Sequence, residues 1–354
     1  MQRGIEGMRA IETVRWDEET DSIVLIDQTR LPLSCRVIRC RTPERLITAI
    51  RRLEIRGAPA LGVAGAFGVA LATLTVREKD FPGYLDKVDT AALAIGNARP
   101  TAVNLSWGVQ RVISRVHEAQ TIEEVRMLAL REAQMVADDD AASCHAIGDH
   151  GAALIAQGST VLTHCNAGAL ACSTWGTALG VIRSAVQSGK NVKVIASETR
   201  PLLQGARLTA WELKRDGIDV TVIPDSAAAH LMRKGEIDCV IVGADRITPD
   251  AVFNKIGTYM HAICAAAHSV PFYVAAPLST FDPLHTEDEV IIEERDRIEI
   301  AFSGGHMTVP ENVPVRNPAF DATPLTLVSA IITESGILRP PFDWPTLAPI
   351  RRVI

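Results

Sequence analysis

The sequence has few of the features that mark nucleic-acid-binding, fibrous or disordered proteins. Its 36 basic residues are outnumbered by 42 acidic ones, and no basic run is long enough to follow a phosphate backbone. Aromatic residues make up only 5% of the chain, whereas hydrophobic residues make up 47% and charged residues 22%. These fractions are typical of soluble globular domains. The 354 residues therefore predict an ordinary globular protein, long enough for two domains, that does not bind nucleic acid.

The seven cysteines form no C-x-x-C pair, which argues against both a zinc site and a disulfide framework. His145 and His150 are five residues apart, so a helix would place them on different faces, where they cannot share a metal ion. The sequence therefore predicts no metal site. Most of the cysteines are expected to be buried and reduced, because free cysteine usually behaves as a small hydrophobic residue.

The N-terminal segment does not have the composition of a secretory signal. Residues 1–10 carry Arg3, Glu6 and Arg9 and lack an apolar core, and Met1 and Met8 are both candidate starts. The stretch 57–74 is about long enough to cross a bilayer, but it consists mostly of Gly, Ala and Val. We interpret it as a buried core helix. The expected location is the cytoplasm, without a membrane contact.

The chain changes its periodicity near Gly158. Residues 11–33 alternate as a β-hairpin does, and residues 42–157 are mainly helical in pattern, with a helix start at Thr42-Pro43 and another near Thr101. Beyond 158, short Val- and Ile-rich runs alternate with helical segments, which is the pattern of a parallel sheet with crossover helices. The predicted strands are 160–163, 191–196, 220–223, 239–242 and 271–276, and a last helix is predicted over 324–334.

This pattern predicts an α/β protein in three parts. A mainly helical N-terminal domain with a small β-hairpin covers 1–125, a long connecting helix covers 126–157, and a domain with a mostly parallel sheet covers 158–354. Ligands bind outside the carboxyl ends of the strands in open α/β sheets. The residues that follow each predicted strand are therefore the first place to look for chemistry.

Cys165 and Asp245 each follow such a strand. A helix is expected to begin soon after Cys165, and its dipole would lower the pKa of the thiol so that a thiolate could form. Asp245 ends an apolar run, so burial is expected to raise the pKa of its carboxyl group and suit it to general acid catalysis. His164 points to the opposite face from its neighbour, so a Cys–His nucleophilic pair is not expected.

Two arginines precede predicted helices in the N-terminal half. Arg56 is followed by Gly57, Ala58 and a helix, and Arg99 by a helix that Thr101 would cap. A guanidinium group beside unpaired helix amides favours a phosphate ligand.

In the C-terminal half, Asn254 is expected to cap a further helix, with Lys255 able to reach a phosphate or a sugar hydroxyl. The sequence contains neither a phosphate loop nor a dinucleotide fingerprint after the first α/β strand. We therefore expect no nucleotide cofactor, and the chemistry would come from side chains acting as acids and bases.

The candidate residues lie in segments that resemble the methylthioribose-1-phosphate isomerase family. This family is related to the regulatory subunits of the eukaryotic initiation-factor exchange complex and to archaeal ribose-1,5-bisphosphate isomerase. The resemblance extends from about residue 11 to 338. Its motifs are residues 56–59, 99–105, 164–170, 198–201, 204–206, 243–246, 254–259 and 317–321.

The resemblance implies a mostly helical N-terminal domain, a Rossmann-like C-terminal domain, a homodimer, and neither a metal nor a cofactor. Cys165 and Asp245 would be the catalytic pair. The residues that would hold the substrate are Arg56, Gly57, Ala58, Arg99, Gln204, Asn254 and Lys255. Gln204 is assigned by the resemblance alone.

The reaction implied is the conversion of 5-methylthioribose 1-phosphate to 5-methylthioribulose 1-phosphate in methionine salvage. The chain departs from the family pattern at residues 172–175 and 248–253, near the expected site. The 5-substituent therefore stays open, and 5-deoxyribose 1-phosphate is the alternative substrate. A ribose-1,5-bisphosphate isomerase would need a second basic clamp, which is not evident. A non-catalytic regulatory subunit would not require Cys165 and Asp245.

Overall fold

The computed structural model describes residues 11–99 and 102–342. They form two compact units. The helical unit contains residues 11–145 and 167–180, and the α/β unit contains residues 146–166 and 181–342. The predicted fold class is confirmed, since helices dominate the first unit and a mostly parallel sheet forms the second. The domain boundaries at 125 and 157 stay a prediction.

The helical unit opens with a three-stranded antiparallel sheet. Its strands are β1 (Val14–Asp17), β2 (Ser22–Ile26) and β3 (Val37–Cys40). The hairpin predicted over 11–33 is confirmed by the β1–β2 pairing, in which Val14 lies opposite Leu25. β3 pairs with the other side of β2 and was not predicted.

Five helices follow in the chain. They are α1 (Pro43–Arg51), α2 (Ala58–Thr75), α3 (Phe81–Gly96), α4 (Val103–Val116) and α5 (Ile122–Ala152). α1 begins as predicted, with the Thr42 hydroxyl accepting the amide of Arg45 at 3.3 Å. The predicted cap of α4 is wrong, because the capping position is Ala102, whose methyl group cannot accept a hydrogen bond. Thr101 lies outside the described residues.

Small residues allow α2 and α4 to approach closely. A Cβ atom added to Gly108 would lie 2.0 Å from the carbonyl oxygen of Gly62, and one added to Gly65 would lie 2.7 Å from that of Leu105. α2 is long and apolar enough to cross a membrane, yet 78% of it is buried inside the protein. This burial agrees with the interpretation of 57–74 as a core helix.

The α/β unit is built on a seven-stranded sheet. Its strands are β4 (Thr160–Thr163), β5 (Lys193–Ser197), β6 (Asp219–Ile223), β7 (Cys239–Val242), β10 (Phe272–Ala275), β14 (Ala330–Thr333) and β15 (Gly336–Leu338). Their spatial order is β15-β14-β10-β7-β4-β5-β6. Six strands run parallel, and β15 at one edge is antiparallel. The five strands predicted for this sheet are confirmed within two residues at each end.

The remaining helices and strands lie between successive strands of this sheet along the sequence. The helices are α6 (Ala178–Gln187), α7 (Ala210–Arg215), α8 (Ala228–Arg233), α9 (Thr258–Ala267) and α10 (Ile298–Ala301). A second small sheet consists of β8 (Arg246–Ile247), β9 (Ala251–Lys255) and β13 (Phe320–Pro324). A short hairpin consists of β11 (Phe302–Ser303) and β12 (His306–Met307).

The helix predicted over 324–334 is wrong. Pro324 ends β13, a single 3-10 turn follows, and residues 330–333 form β14. Ile331 and Ile332 are fully buried, and β14 pairs with β10, more than fifty residues earlier in the chain. Pairing with a distant strand therefore outweighs the local helical pattern, which is consistent with the strong context dependence of strand formation.

Candidate active site

Cys165 and Asp245 lie just beyond the ends of two adjacent parallel strands. β4 and β7 pair with Leu162 opposite Val240, so the residues that follow them emerge at the same edge of the sheet. Cys165 is buried and Asp245 is half-buried. The amide of Asp245 donates to the carbonyl of Phe253 at 2.8 Å, which fixes its backbone against β9.

The backbone of Cys165 is held in a costly conformation. Its φ of +62° lies in the left-handed region, which residues with a side chain rarely occupy. Its amide donates to the Thr199 hydroxyl at 2.9 Å, and its carbonyl accepts from the Thr209 hydroxyl at 2.7 Å. Strained backbone of this kind persists where surrounding contacts enforce it and is concentrated at functional sites. The contacts therefore mark Cys165 as a position whose geometry is maintained.

Thr199 is itself fixed by the next strand. It is fully buried with a φ of +67°, and its hydroxyl donates to the carbonyl of Ser197 at 3.0 Å. Asp225, which follows β6, accepts the amides of Thr199 and Arg200, both at 2.7 Å. Sequence reasoning assigned no role to Thr199 or Asp225. The available signal was their position directly after β5 and β6.

The helix expected directly behind Cys165 is absent from this described stretch. Residues 169–171 form one 3-10 turn, Gly168 and Gly176 form a β-bridge, and α6 begins only at Ala178. A helix dipole acts only within about the first turn. The predicted source of thiol acidification is therefore wrong, because a closed loop occupies the place of the helix.

Both ring nitrogens of His164 contact residues other than the neighbouring Cys165. Nε2 lies 2.8 Å from the carbonyl oxygen of Ile256, and Nδ1 lies 3.2 Å from Nε2 of His261, which also lies 3.0 Å from the Ser197 hydroxyl. Burial lowers the pKa of His164 to about 4 and that of His261 to about 3. Both imidazoles are neutral near pH 7. This arrangement agrees with the expectation against a Cys–His pair.

Asn254 and Lys255 belong to strand β9 and do not open a helix, so the predicted capping role is wrong. The capping position of α9 is Gly257, with a φ of +101°, and the Asp321 carboxylate accepts its amide at 2.7 Å. Pairing of β9 with β13 brings Asp321 opposite Asn254 and so supplies this acceptor from a distant segment.

The side chains of Asn254 and Lys255 are buried and directed by specific contacts. The Asn254 amide group donates to the Thr258 hydroxyl at 3.0 Å. The Lys255 ammonium group donates to the carbonyl of Ala319 at 2.8 Å and lies 4.5 Å from the centre of the Phe320 ring. A buried lysine at the end of a strand offers a positive charge of fixed position to an anionic ligand.

Gln204 is buried, and its Oε1 atom has no hydrogen-bond partner among the described residues. The backbone beside it is tightly packed, because a Cβ atom on Gly205 would lie only 1.7 Å from the carbonyl oxygen of Ser197. A buried acceptor without a partner is costly in a folded protein and suits a ligand that donates a hydrogen bond. This observation supports a binding role that only the resemblance had suggested.

Four predicted substrate-binding residues lie in the helical unit. Arg56 and Arg99 are half-buried, and Ala58 begins α2. Gly57 caps this helix with a φ of +90°, and a Cβ atom there would lie 2.5 Å from the Cα atom of Ala171. Gly57 thus packs against the loop that follows Cys165 in the chain. A joint role of these four residues with Cys165 stays a prediction.

Most cysteines are buried, as expected. Cys35 is exposed and Cys264 half-buried, whereas the other five are buried. His145 stacks on Trp175 with ring centres 4.6 Å apart, and His150 bonds the carbonyl of Thr333 at 3.0 Å. These two histidines therefore contact different segments of the chain.

Comparison with known proteins identifies the family. Residues 54–340 match the model of the initiation factor 2 subunit family. The chain belongs to this family. Within it, a methylthioribose-1-phosphate isomerase of Heliobacterium modesticaldum is 50% identical over 336 residues, which are 94% of this chain and 97% of that protein. A 5-deoxyribose 1-phosphate isomerase of Moorella thermoacetica is 49% identical over 94% of this chain and 95% of that protein.

Two solved structures share the fold of this chain. The 5-methylthioribose 1-phosphate isomerase from Pyrococcus horikoshii superposes with a TM-score of 0.89 at 40% identity, covering 96% of each chain. A structure described as translation initiation factor eIF-2B, subunit delta, from A. fulgidus has a TM-score of 0.86 at 50% identity, covering 95% of this chain and 99% of that chain. The many relatives at about 50% identity that are isomerases show that this family member is an isomerase.

Proposed function

We propose that the protein converts 5-methylthioribose 1-phosphate to 5-methylthioribulose 1-phosphate, as an aldose–ketose isomerase of methionine salvage. Relatives of about 50% identity over nearly the whole chain carry the proposal. The position of Cys165 and Asp245 after adjacent parallel strands supports it. We further propose that the protein acts in the cytoplasm as a homodimer and uses neither a metal nor a cofactor for the reaction.

The substrate sets the chemical task. Phosphate on the anomeric carbon blocks the spontaneous ring opening on which ordinary aldose isomerases rely, so the enzyme opens the ring itself. In the proposed mechanism Asp245 donates and accepts protons at the sugar oxygens. Cys165, as the thiolate, moves the proton from C2 to C1 through a cis-enediolate. Each such transfer by a positioned group contributes about 100- to 10,000-fold to the rate.

The remaining predicted residues hold the substrate in this proposal. Arg56, Arg99 and the amides at Gly57 and Ala58 bind the phosphate, since guanidinium groups and helix amides favour anions. Lys255 adds positive charge. Asn254 and Gln204 bind sugar hydroxyls, and the buried Oε1 atom of Gln204 supports this role because it is an acceptor without a partner among the described residues.

The deciding experiment compares two substrates and two variants. The purified protein is assayed with 5-methylthioribose 1-phosphate and with 5-deoxyribose 1-phosphate, following ketose formation. We expect a higher kcat/KM with the methylthio sugar. Absence of activity with both sugars would overturn the proposal. Cys165→Ser and Asp245→Asn are expected to lose at least about 100-fold in kcat. Normally folded variants that both keep wild-type turnover would refute the assignment of these residues.

The Moorella thermoacetica relative is named 5-deoxyribose 1-phosphate isomerase, which makes 5-deoxyribose 1-phosphate a second candidate substrate for this protein. If this protein prefers 5-deoxyribose 1-phosphate in the same assay, the proposed substrate changes but the proposed chemistry does not. Substrate deuterated at C2 separates the two routes for the hydrogen. Loss of label to water supports the enediolate, whereas full retention in the product indicates a hydride shift.

A further inference from the structure

Three metal-ligating side chains meet in the helical unit, apart from the proposed catalytic and substrate-binding residues. Asp140 and Cys144 lie one turn apart on α5, so they share one face of the helix. Cys172 lies in the loop that follows the 3-10 turn at 169–171. One carboxylate oxygen and the two sulfur atoms all lie within 4.8 Å of one another. No other group of three such side chains meets this closely within 11–99 and 102–342.

The surroundings hold these three side chains in place. Cys144 and Cys172 are each only 1% exposed, so bulk water does not separate them. The Asp140 carboxylate accepts the amide of Ser173 at 2.6 Å, which ties the loop beside Cys172 to α5.

The donor set determines which cation fits. In a tetrahedral zinc site the metal lies about 2.3 Å from sulfur and about 2.0 Å from a carboxylate oxygen, which puts ligand atoms roughly 3.5 Å apart. Contraction from the observed 4.8 Å limit requires a movement of about 1 Å, within the range of side-chain rotation. Mg²⁺ and Ca²⁺ prefer oxygen ligands and do not suit two sulfur donors.

We propose that Asp140, Cys144 and Cys172 bind one thiophilic divalent cation, for which Zn²⁺ is the probe. Water completes the coordination. Binding displaces the two thiol protons to solvent, as thiolate ligation requires. The ion joins α5 to the loop that runs from Ala169 to Gly176, so its role is structural and separate from the proposed acid–base chemistry.

Zinc binding by the intact, reduced, chelator-treated protein tests this site. A titration against a competing chromophoric chelator is expected to show one Zn²⁺ per chain with a Kd below 1 µM. The Cys144→Ser/Cys172→Ser variant is expected to bind at least 100-fold more weakly, and Asp140→Asn at least tenfold more weakly. The control Cys35→Ser/Cys264→Ser, which changes two cysteines outside the cluster, is expected to bind like the wild type.

Several outcomes overturn the proposal. The first is that the wild type binds no zinc tightly, and the second is that the Cys144→Ser/Cys172→Ser variant binds zinc as well as the wild type does. The third is that Cys165→Ser loses zinc binding, which would place the ion at the proposed active site. A Cys144–Cys172 disulfide that forms in place of metal binding, detected by peptide mapping, also overturns it. If the double variant fails to fold, Co²⁺ added to the wild type decides. Thiolate ligation gives a sulfur-to-cobalt charge-transfer band, and its absence refutes the site.

Discussion

The amide of Cys165 donates a 2.9 Å hydrogen bond to the hydroxyl of Thr199, and both residues adopt left-handed backbone conformations. The Thr199 hydroxyl in turn donates a 3.0 Å hydrogen bond to the carbonyl of Ser197. One buried hydroxyl therefore links the turns that follow β4 and β5. The position of the Cys165 thiol depends on a residue that need not touch the substrate.

Replacing Thr199 tests this positioning role. Thr199→Val keeps the β-branched shape but leaves the Cys165 amide without its acceptor, which costs about 1 to 3 kcal/mol of stability. We expect kcat to fall about 10- to 100-fold, because a small displacement of a reacting group has an effect of that order. Thr199→Ser keeps the hydroxyl and is expected to retain most of the activity. Loss of stability without loss of kcat in Thr199→Val would mean that the contact is only structural.

Gln204 offers a test of binding against stability. Gln204→Leu removes a buried acceptor that has no partner among the described residues, so the unliganded protein is expected to be as stable as the wild type or more stable by about 1 kcal/mol. KM is expected to rise about tenfold if one hydrogen bond to the sugar is lost. Urea unfolding and steady-state kinetics measure the two effects. A less stable variant with an unchanged KM would assign Gln204 a structural role.

The buried pair His164 and His261 is expected to make the protein acid-sensitive. Their pKa values are about 4 and about 3 in the folded protein, against 6.5 for an ordinary histidine. Between pH 6.5 and 4 the unfolded chain therefore binds more protons than the folded one, and the free energy of unfolding falls as pH decreases. Asp225, 3.9 Å from Nδ1 of His164, does not outweigh burial. Lys255 lowers the pKa of His164 further.

His261→Gln is expected to remove one part of this acid sensitivity. From pH 7.5 to pH 5.0 each buried histidine costs about 2 kcal/mol of stability, so the variant is expected to lose about 2 kcal/mol less than the wild type. The raised pKa of Asp321, about 6, acts in the opposite direction but is common to both proteins and cancels. The exposed position His230 provides the control His230→Gln, which is expected to follow the wild type. Identical pH slopes in urea unfolding would contradict the prediction.

The contact between α2 and α4 predicts opposite effects for two glycines. Gly108→Ala places a Cβ atom 2.0 Å from the carbonyl oxygen of Gly62, so we expect a loss of about 1 to 3 kcal/mol or more from overpacking. Gly96→Ala, at the end of α3, meets its nearest atom at 3.7 Å. It is expected to be neutral or to stabilise by up to about 1 kcal/mol, because alanine favours a helix. Melting temperatures compare the two variants. Equal effects would show that packing against α2 does not restrict residue 108.

Local patterns determined much of the fold. The runs 160–163 and 239–242 are predicted with the bounds that the structure has, because their apolar and β-branched residues suit buried strands. Thr42 and Pro43 likewise specify the start of α1 through capping chemistry. The polar residues after the strands could also be predicted, since the carboxyl edge of a parallel sheet follows from strand order along the chain.

Contacts between distant segments decided the rest. Residues 330–333, within the stretch predicted as a helix, form β14 because β10 is available to pair with them. The cap of α9 comes from Asp321 because β13 lies beside β9. Cys165, in its left-handed conformation, is hydrogen-bonded by the hydroxyls of Thr199 and Thr209, which follow it by more than thirty residues.

The cysteines also show the difference between what local sequence predicts and what contacts between distant segments decide. The sequence, read by local spacing, predicts no metal site, because its cysteines form no paired motif. The fold nevertheless brings Cys172 to Asp140 and Cys144, since a loop closed by the Gly168–Gly176 bridge packs against α5. The sequence by itself determined the start of α1, five strands of the main sheet and the polar character of the residues that follow them, because these features depend on neighbouring residues. Only the tertiary structure decided which distant side chains meet, because those contacts depend on packing and strand pairing.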